Sequence, residues 1–493
     1  MKYNSLTKKE LIRLLEERDA ELYETRKERD EALKKLEEIN EAKAISRAKL
    51  FKRKSEIRKN VFNEAEKTKE KINNESINRG RKSGSKNFDY AYLESHVDET
   101  IELLPKEASD PNNIFVGEDI SYKISYIPGK YKITKIILKK YASKDGKIYE
   151  YTKDDPFPHS ICTPSFASIV MKDKFLLGIP YYRQSMYYYD EGFKISRQDL
   201  CNYQLRSTEI LKKFYDRLKY HLINNHARVI CADETTLKIV KENVTGYLWV
   251  YLTSFYDNPI YIYDAALNRK SENPIEFLKD YKGYLLTDAY SGYAKVNGVI
   301  NCYCWVHARR NFLDIIKGLD NKQILVSKSQ RMVDMIDELL HLEKEYRDNL
   351  LTPNEIKLKR NSIEYLEKIK NIKEYLEKID ASPSSPLGKA RDYMLKRWDE
   401  FTNYLKDGYV EMTNNISERA IKPFVIARKN FLFSYTKNGA DSSAIYFSIQ
   451  QTARANGLDP AKYIEELLNN IKPTSTNEEI DSLMPWNLEN RKQ

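Results

Sequence analysis

The sequence has no apolar run near the ~18 residues that a membrane-spanning helix needs. Its first ten residues, Met1 to Glu10, are polar and carry no signal-peptide core. No membrane partner is expected, and the expected location is the cytoplasm, beside the nucleoid if the chain handles DNA. Cysteine is scarce and odd in number: Cys162, Cys201, Cys231, Cys302 and Cys304, with no CxxC pair. That excludes a disulfide framework and fits a reducing compartment. Glycine and proline are absent from residues 5–40, so nothing there interrupts a helix. The positive excess is small for 493 residues, a net charge of +10, but it is concentrated. Between Lys43 and Lys86 stand 15 Lys/Arg against 5 Asp/Glu, an excess equal to that of the whole chain. Such a segment suits a polyanion, or serves as a solvated linker.

The chain divides by texture into a multidomain α/β protein with large helical parts. Residues 1–45 read as a coiled-coil helix. Leu11, Leu15, Arg18, Leu22, Thr25, Arg29, Ala32, Leu36 and Ile39 follow a 4,3 spacing, and six of the nine are apolar. A second copy of the chain is the natural partner, hence a homo-oligomer. Residues 46–112 form a basic helical linker in which Arg53, Lys54, Arg81 and Lys82 can neutralise phosphates. Residues 113–160 form a small β-rich module, with alternation over Ile120 to Ile127 and Tyr131 to Tyr141. Residues 161–226 are helical. There Pro180 to Tyr189, a Gly192 turn, and Ser196 to Leu205 read as a helix-turn-helix, with Ser196 as N-cap.

From residue 227 to 318 the pattern becomes β, β, β, α, β, β, α, which predicts a mixed sheet with helices packed on it. Residues 319–405 are charged and carry no strand signal, as a helical insertion would. Residues 406–470 are helical again, interrupted near Lys437-Asn438-Gly439, and 471–493 form a polar tail.

Asp233 is expected at the end of the first strand of that sheet and Asp288 at the end of a later one. Two carboxylates at one sheet rim repel unless a cation intervenes. Hard Mg²⁺ or Mn²⁺, held by carboxylates and substrate phosphate, is the usual solution. Glu418 would complete positions for two ions. Helical spacing puts Asn414, Glu418 and Lys422 on one face, and Arg419, Arg428 and Lys429 add positive charge for DNA. Taken singly, an aspartate at a strand end is commonly a turn residue. Glu234, Asp264, Asp407 and Glu411 fit the same pattern. His307, in Cys304-Trp305-Val306-His307, suits the wall of a site better than a zinc cage, because no second ligand pair is near.

These blocks, in this order, resemble the insertion-sequence-66 family of bacterial transposases. The similar segments are Ala232-Asp233-Glu234-Thr235, Thr287-Asp288-Ala289-Tyr290-Ser291-Gly292-Tyr293 and Cys304-Trp305-Val306-His307-Ala308-Arg309-Arg310. They continue with Asn414-Asn415-Ile416-Ser417-Glu418-Arg419-Ala420, Asn456-Gly457-Leu458-Asp459-Pro460 and Met484-Pro485-Trp486-Asn487. The resemblance implies an RNase H-like core split by the helical insertion, which accounts for the 130 residues from Asp288 to Glu418. It implies a DDE triad of Asp233, Asp288 and Glu418, two Mg²⁺ or Mn²⁺ ions, and strand cleavage and transfer. The DNA partners would be terminal inverted repeats and target DNA, with helper proteins from the same element. Many relatives carry a cysteine-rich zinc module. Residues 113–160 contain no cysteine, so no zinc is expected. Two alternatives remain open: a domesticated DNA-binding descendant without activity, and a nuclease of RNase H type acting on RNA–DNA hybrids.

Overall fold

The computed structural model describes residues 8–51, short pieces at 97, 100, 132–136, 140–142 and 148–150, and residues 155–488 apart from 159 and 318. Arg53, Lys54, Arg81 and Lys82 lie outside the described residues. The chain divides into two units, Met1–Ser55 with Lys153–Gln493, and Glu56–Thr152. In the smaller unit, β1 (Lys140–Ala142) pairs antiparallel with β2 (Ile148–Glu150). The strand expected from Tyr131 is not formed over 132–136. Ile133 and Ile136 are exposed, and their spacing of three gives a strand no single face to bury.

The larger unit begins with α1 (Lys8–Phe51), 44 residues long. Leu22, Leu36 and Ile39 of the expected seam are about half exposed along it. Next come α2 (Pro164–Met171), α3 (Tyr181–Asp190) and α4 (Arg197–His221). Ser196 caps α4, and Asp199 returns the bond to Ser196 N, so two of the helix's orphan N–H groups are satisfied. The expected helix pair is present, but its second member is far longer than a short reading helix. Leu200, Tyr203, Leu211, Phe214 and Leu218 make a continuous buried face down to His221.

The sheet contains β3 (Val229–Ile239), β4 (Val244–Thr253), β5 (Tyr261–Ala266), β6 (Tyr284–Thr287) and β7 (Ile300–Tyr303). Its order is β5-β4-β3-β6-β7. The pairs β3–β4 and β4–β5 are antiparallel, and β3–β6 and β6–β7 are parallel. Between the strands and after them stand α5 (Glu272–Phe277) and α6 (Trp305–Ile316). β4 is buried on both faces from Leu248 onward, so it shows a continuous apolar run rather than alternation.

Residues 319–405 are helical: α7 (Asn321–Leu325), α8 (Lys328–Asp348), α9 (Pro353–Arg360), α10 (Ile363–Lys378), α11 (Pro386–Leu395) and α12 (Trp398–Thr402). Two helices follow, α13 (Asn415–Phe431) and α14 (Lys437–Ala455). The interruption falls at 432–436, one turn earlier than expected. Lys437-Asn438-Gly439 is the first turn of α14, because Thr436 caps it by accepting from Gly439 N at 3.1 Å.

α14 closes the outer edge of β5. Tyr261 N donates to Thr452 Oγ1 at 3.0 Å and Tyr263 N to Ser448 Oγ at 2.8 Å. Four residues of helix rise about 6 Å and two of strand about 6.6 Å, so the spacings match. The edge is thereby removed as a site of aggregation. The C-terminal stretch is not a loose tail. α15 (Pro460–Asn470), α16 (Asn477–Asp481) and α17 (Pro485–Leu488) follow, and Asp481 pairs with Arg217 and His221 of α4. None of the described helices is long and apolar enough to cross a membrane.

The helical segment is anchored by Arg360, which is 2% exposed. Its guanidinium grips Glu343 of α8 at 2.9 and 2.6 Å. It also donates to the carbonyls of Tyr404, Asp407 and Val410 at 3.0, 3.2 and 2.8 Å. Replacing Arg360 with Met would leave Glu343 buried with its charge unpaired, held by Tyr365 Oη alone, and would take a donor from three carbonyls. The expected loss is about 3–5 kcal/mol in chemical denaturation, and a change below about 1 kcal/mol would show that the anchor is dispensable.

Candidate active site

The sequence places Asp233 at a strand end, but it is the fifth residue of the eleven in β3. β3 continues because the β4 hairpin pairs with it from Ile230 to Ile239. On the other edge, β6 pairs only with Val229, Ile230 and Cys231. The parallel half of the sheet therefore stops just before Asp233, and the β3 edge beyond it is open to other partners.

α13 fills that edge. Asn414 Nδ2, at its N-cap, donates to Ala232 O at 2.8 Å. Arg428, in its last turn, reaches Thr235 Oγ1 at 3.3 Å, Thr236 Oγ1 at 3.0 Å and the Thr236 carbonyl. Ser434 N, just past the helix, donates to Lys238 O at 3.0 Å. These three attachments fix α13 along β3, with Glu418 in its first turn. The stretch before α13 is held by the start of α6. Asn414 N donates to Cys304 Sγ at 3.1 Å, and Trp305 N to Met412 O at 3.1 Å.

α6 then turns His307 and Arg310 toward Glu418. His307 Nε2 stands 3.4 Å and Arg310 3.7 Å from Glu418 Oε1. Glu418 is 15% exposed, and its Oε1 accepts no hydrogen bond. Asn414 Oδ1 and Asn415 Oδ1 are likewise buried acceptors without a hydrogen bond.

Asp288 follows β6 directly. Its Oδ1 accepts from Tyr290 N at 2.9 Å, and its carbonyl accepts from Tyr393 Oη at 2.8 Å. Tyr393 belongs to α11, so the helical segment touches the site. Ala289 has φ of +67°, a left-handed conformation that costs a non-glycine residue about 1–2 kcal/mol. Burial pushes the Asp233 carboxyl well above the usual range, and the charges of Glu234, Asp288 and Glu418 add to this. The fold thus brings together, around Asp233, the two acids expected to join it.

The rival acids are engaged elsewhere. Glu234 is 2% exposed and bound by Arg269, with Nε at 2.7 Å, and by Tyr293 Oη at 2.7 Å. Arg269 lies 3.9 Å over the Tyr290 ring, and its carbonyl accepts from Tyr290 Oη. Glu234 is therefore a brace between β3 and the loop after Asp288. Asp407 pairs with Arg228 at 2.7 Å and Glu411 with Arg347 at 3.0 Å. Asp264 is half-buried on β5, within the electrostatic reach of Lys219 and Lys437. The sequence reading missed Arg269, Arg310 and Tyr393. The bonds of Arg269 to Glu234 and of Tyr393 to Asp288 span 35 and 105 residues, so no local pattern reveals them.

Among the described residues, no three His, Cys, Asp or Glu side chains already surround one ion-sized point. The donor set nonetheless suits Mg²⁺ or Mn²⁺. It consists of hard oxygens, includes a buried acceptor without a hydrogen bond in Glu418, and is crowded with like charge. Such ions take one or two carboxylates and complete their shell with water and substrate phosphate. Of the cations expected to meet DNA, Arg419, Lys422 and Lys429 are exposed, whereas Arg428 is partly committed to β3.

The transposase IS66 family model matches residues 159–442, more than half of the chain. The chain belongs to the IS66 transposase family. The IS66 C-terminal element matches residues 448–486. Three uncharacterized proteins of Sinorhizobium fredii are similar to this IS66 family member. Protein y4hP is 28% identical, covering 75% of this chain and 71% of its own. Protein y4qI is 28% identical over 80% and 76%, and y4jD is 26% identical over 83% and 83%.

The raised Asp233 value has a consequence for stability. The folded state holds that proton more tightly than the unfolded one, so stability falls as pH rises from the ordinary value of 3.8 toward the raised one. Asp233→Asn keeps an acceptor for Glu234 N and removes the charge. Without divalent ions at neutral pH, it should raise the melting temperature measured by calorimetry. The gain should shrink as pH approaches 4. An equal shift at both pH values would contradict the crowding of charge at Asp233.

Proposed function

We propose that this IS66 family protein is a DDE-type DNA transposase that cleaves and rejoins DNA with Asp233, Asp288 and Glu418. The observation that carries the reading is the convergence of Asp288 and Glu418, 130 residues apart, on the electrostatic surroundings of Asp233. The sheet order supports it, because a 3-2-1-4-5 order with the second strand antiparallel is that of an RNase H-like core.

In this reading the three carboxylates would hold two Mg²⁺ or Mn²⁺ ions, which would supply activation of the attacking water or 3′-hydroxyl and stabilisation of the leaving oxygen. The chain itself orients the acids. Asn414 and Arg428 fix the Glu418 helix on β3, His307 and Arg310 hold the Glu418 carboxylate, and Tyr393 and Tyr290 N fix the Asp288 loop. Arg419, Lys422 and Lys429 lie on the same helix to meet phosphates. Terminal inverted repeats and target DNA are the proposed substrates, handled by an oligomer of the chain with helper proteins of its element.

The test is divalent-ion-dependent cleavage of DNA carrying the element's end by the full chain. Asp233→Asn, Asp288→Asn and Glu418→Gln should each lower cleavage by about a thousandfold or more, equivalent to about 4 kcal/mol, with DNA affinity within a few-fold of wild type. Near-normal cleavage by all three variants would refute the assignment. Binding without cleavage even by wild type would favour a binding-only descendant.

A further inference from the structure

Glu418 stands at the head of a surface strip whose apolar members, Ile426, Phe433 and Tyr435, have no part in the proposed reaction. At helical spacing its face continues through Lys422, Ile426 and Lys429. Ile426 is 62% exposed, and both lysines are exposed. The chain then does not pass directly into α14. Leu432 adopts φ +66°, ψ −41°, at the centre of a strained γ-turn that Phe433 N closes on Phe431 O at 2.8 Å, a conformation leucine rarely takes. Its hydrogen bond from N to Arg428 O closes the helix there. Ser434 is then clamped against Ile239, with its N on Lys238 O and its carbonyl accepting from Val240 N at 3.1 Å.

The clamp turns the neighbours outward. Leu432 and Tyr435 are each 65% exposed and Phe433 is 44% exposed. Single exposed apolar residues are ordinary. Here four lie within ten residues, with Lys429 among them and Lys422 one turn before, in a backbone locked to present them.

We infer that the strip Lys422–Ile426–Lys429–Phe433–Tyr435 is a stacking platform for unpaired bases of the DNA strand being processed. It rests on the proposed function only in taking DNA as the ligand. Lysines meet phosphates of any nucleic acid. Exposed rings gain nothing from a duplex, whose base faces are covered, but gain about 1–3 kcal/mol for each unpaired base stacked on them. The two rings beside the two lysines therefore select a single strand over a duplex, and a polyanion over an apolar protein surface. Starting one helical turn beyond Glu418, the platform would receive nucleotides adjoining the reacting phosphate.

The test measures binding by the full chain, without divalent ions, of labelled oligothymidylate of about 20 nucleotides and of a hairpin duplex of similar length. The double variant Phe433→Ala with Tyr435→Ala should weaken oligothymidylate binding about tenfold or more and leave duplex binding within about twofold. Phe433→Trp with Tyr435→Trp should restore it, which a merely misfolded surface would not do. Photocrosslinks from 5-iododeoxyuridine should map to Phe433 or Tyr435. Equal weakening of both DNAs, no weakening of either, or no affinity of wild type for oligothymidylate would overturn the platform. Asp233→Asn separates the two proposals. If it cuts like wild type, the triad fails and the platform stands. If it is inactive while the double variant binds like wild type, the platform alone fails.

Discussion

β3 is paired on one edge along nearly its whole length and on the other only through Cys231. An open strand edge carries backbone groups that must find partners, and this chain supplies them from a helix far away in sequence. Ala232 O, Thr236 O and Lys238 O accept from Asn414, Arg428 and Ser434 in turn. The same attachments that satisfy the edge carry Glu418 to Asp233. Fold and site are thus one solution. The cost is charge, since the carboxyl of Asp233 is desolvated and surrounded by three other acids. A divalent cation is the natural relief.

The helical segment between Asp288 and Glu418 is more than a spacer. Arg309 of α6 pairs with Asp337 of α8 at 2.5 Å, which ties the helix carrying His307 and Arg310 to the segment. Tyr393 bonds the backbone of Asp288. Arg360 gathers the carbonyls of the peptide that leads into α13. Each acid beyond Asp233 therefore depends on the segment for part of its placement. The two carboxylates on either side of the segment are linked through it as well as across it.

Much of this was legible in the residues, and the failures have physical causes. β6 and Asp288 could be read because a short apolar run ends at a polar turn. The apolar signal stops at Ala232, so the sequence alone marks Asp233 as a strand end. The strand goes on because Asp233, Glu234 and Thr235 are held by the β4 hairpin, which a one-strand pattern does not reveal. The break between α13 and α14 is not legible where it falls because glycine is the usual signal for one, whereas here leucine takes a positive-φ γ-turn and a tertiary bridge at Ser434 holds it. Glu234 looked as suitable as Asp233. Only its bonds to Arg269 and Tyr293 separate a brace from a ligand.

The central claim is that Asp233, Asp288 and Glu418 share one divalent-ion locus. Its most direct measurement replaces Mg²⁺ with Fe²⁺ in the full chain and maps backbone cleavage by locally generated hydroxyl radicals. The account predicts cuts clustered near residues 233, 288 and 418, competed by Mg²⁺ and lost together in Asp233→Asn. Cuts near only one of the three, or a pattern that Asp233→Asn leaves unchanged, would contradict it.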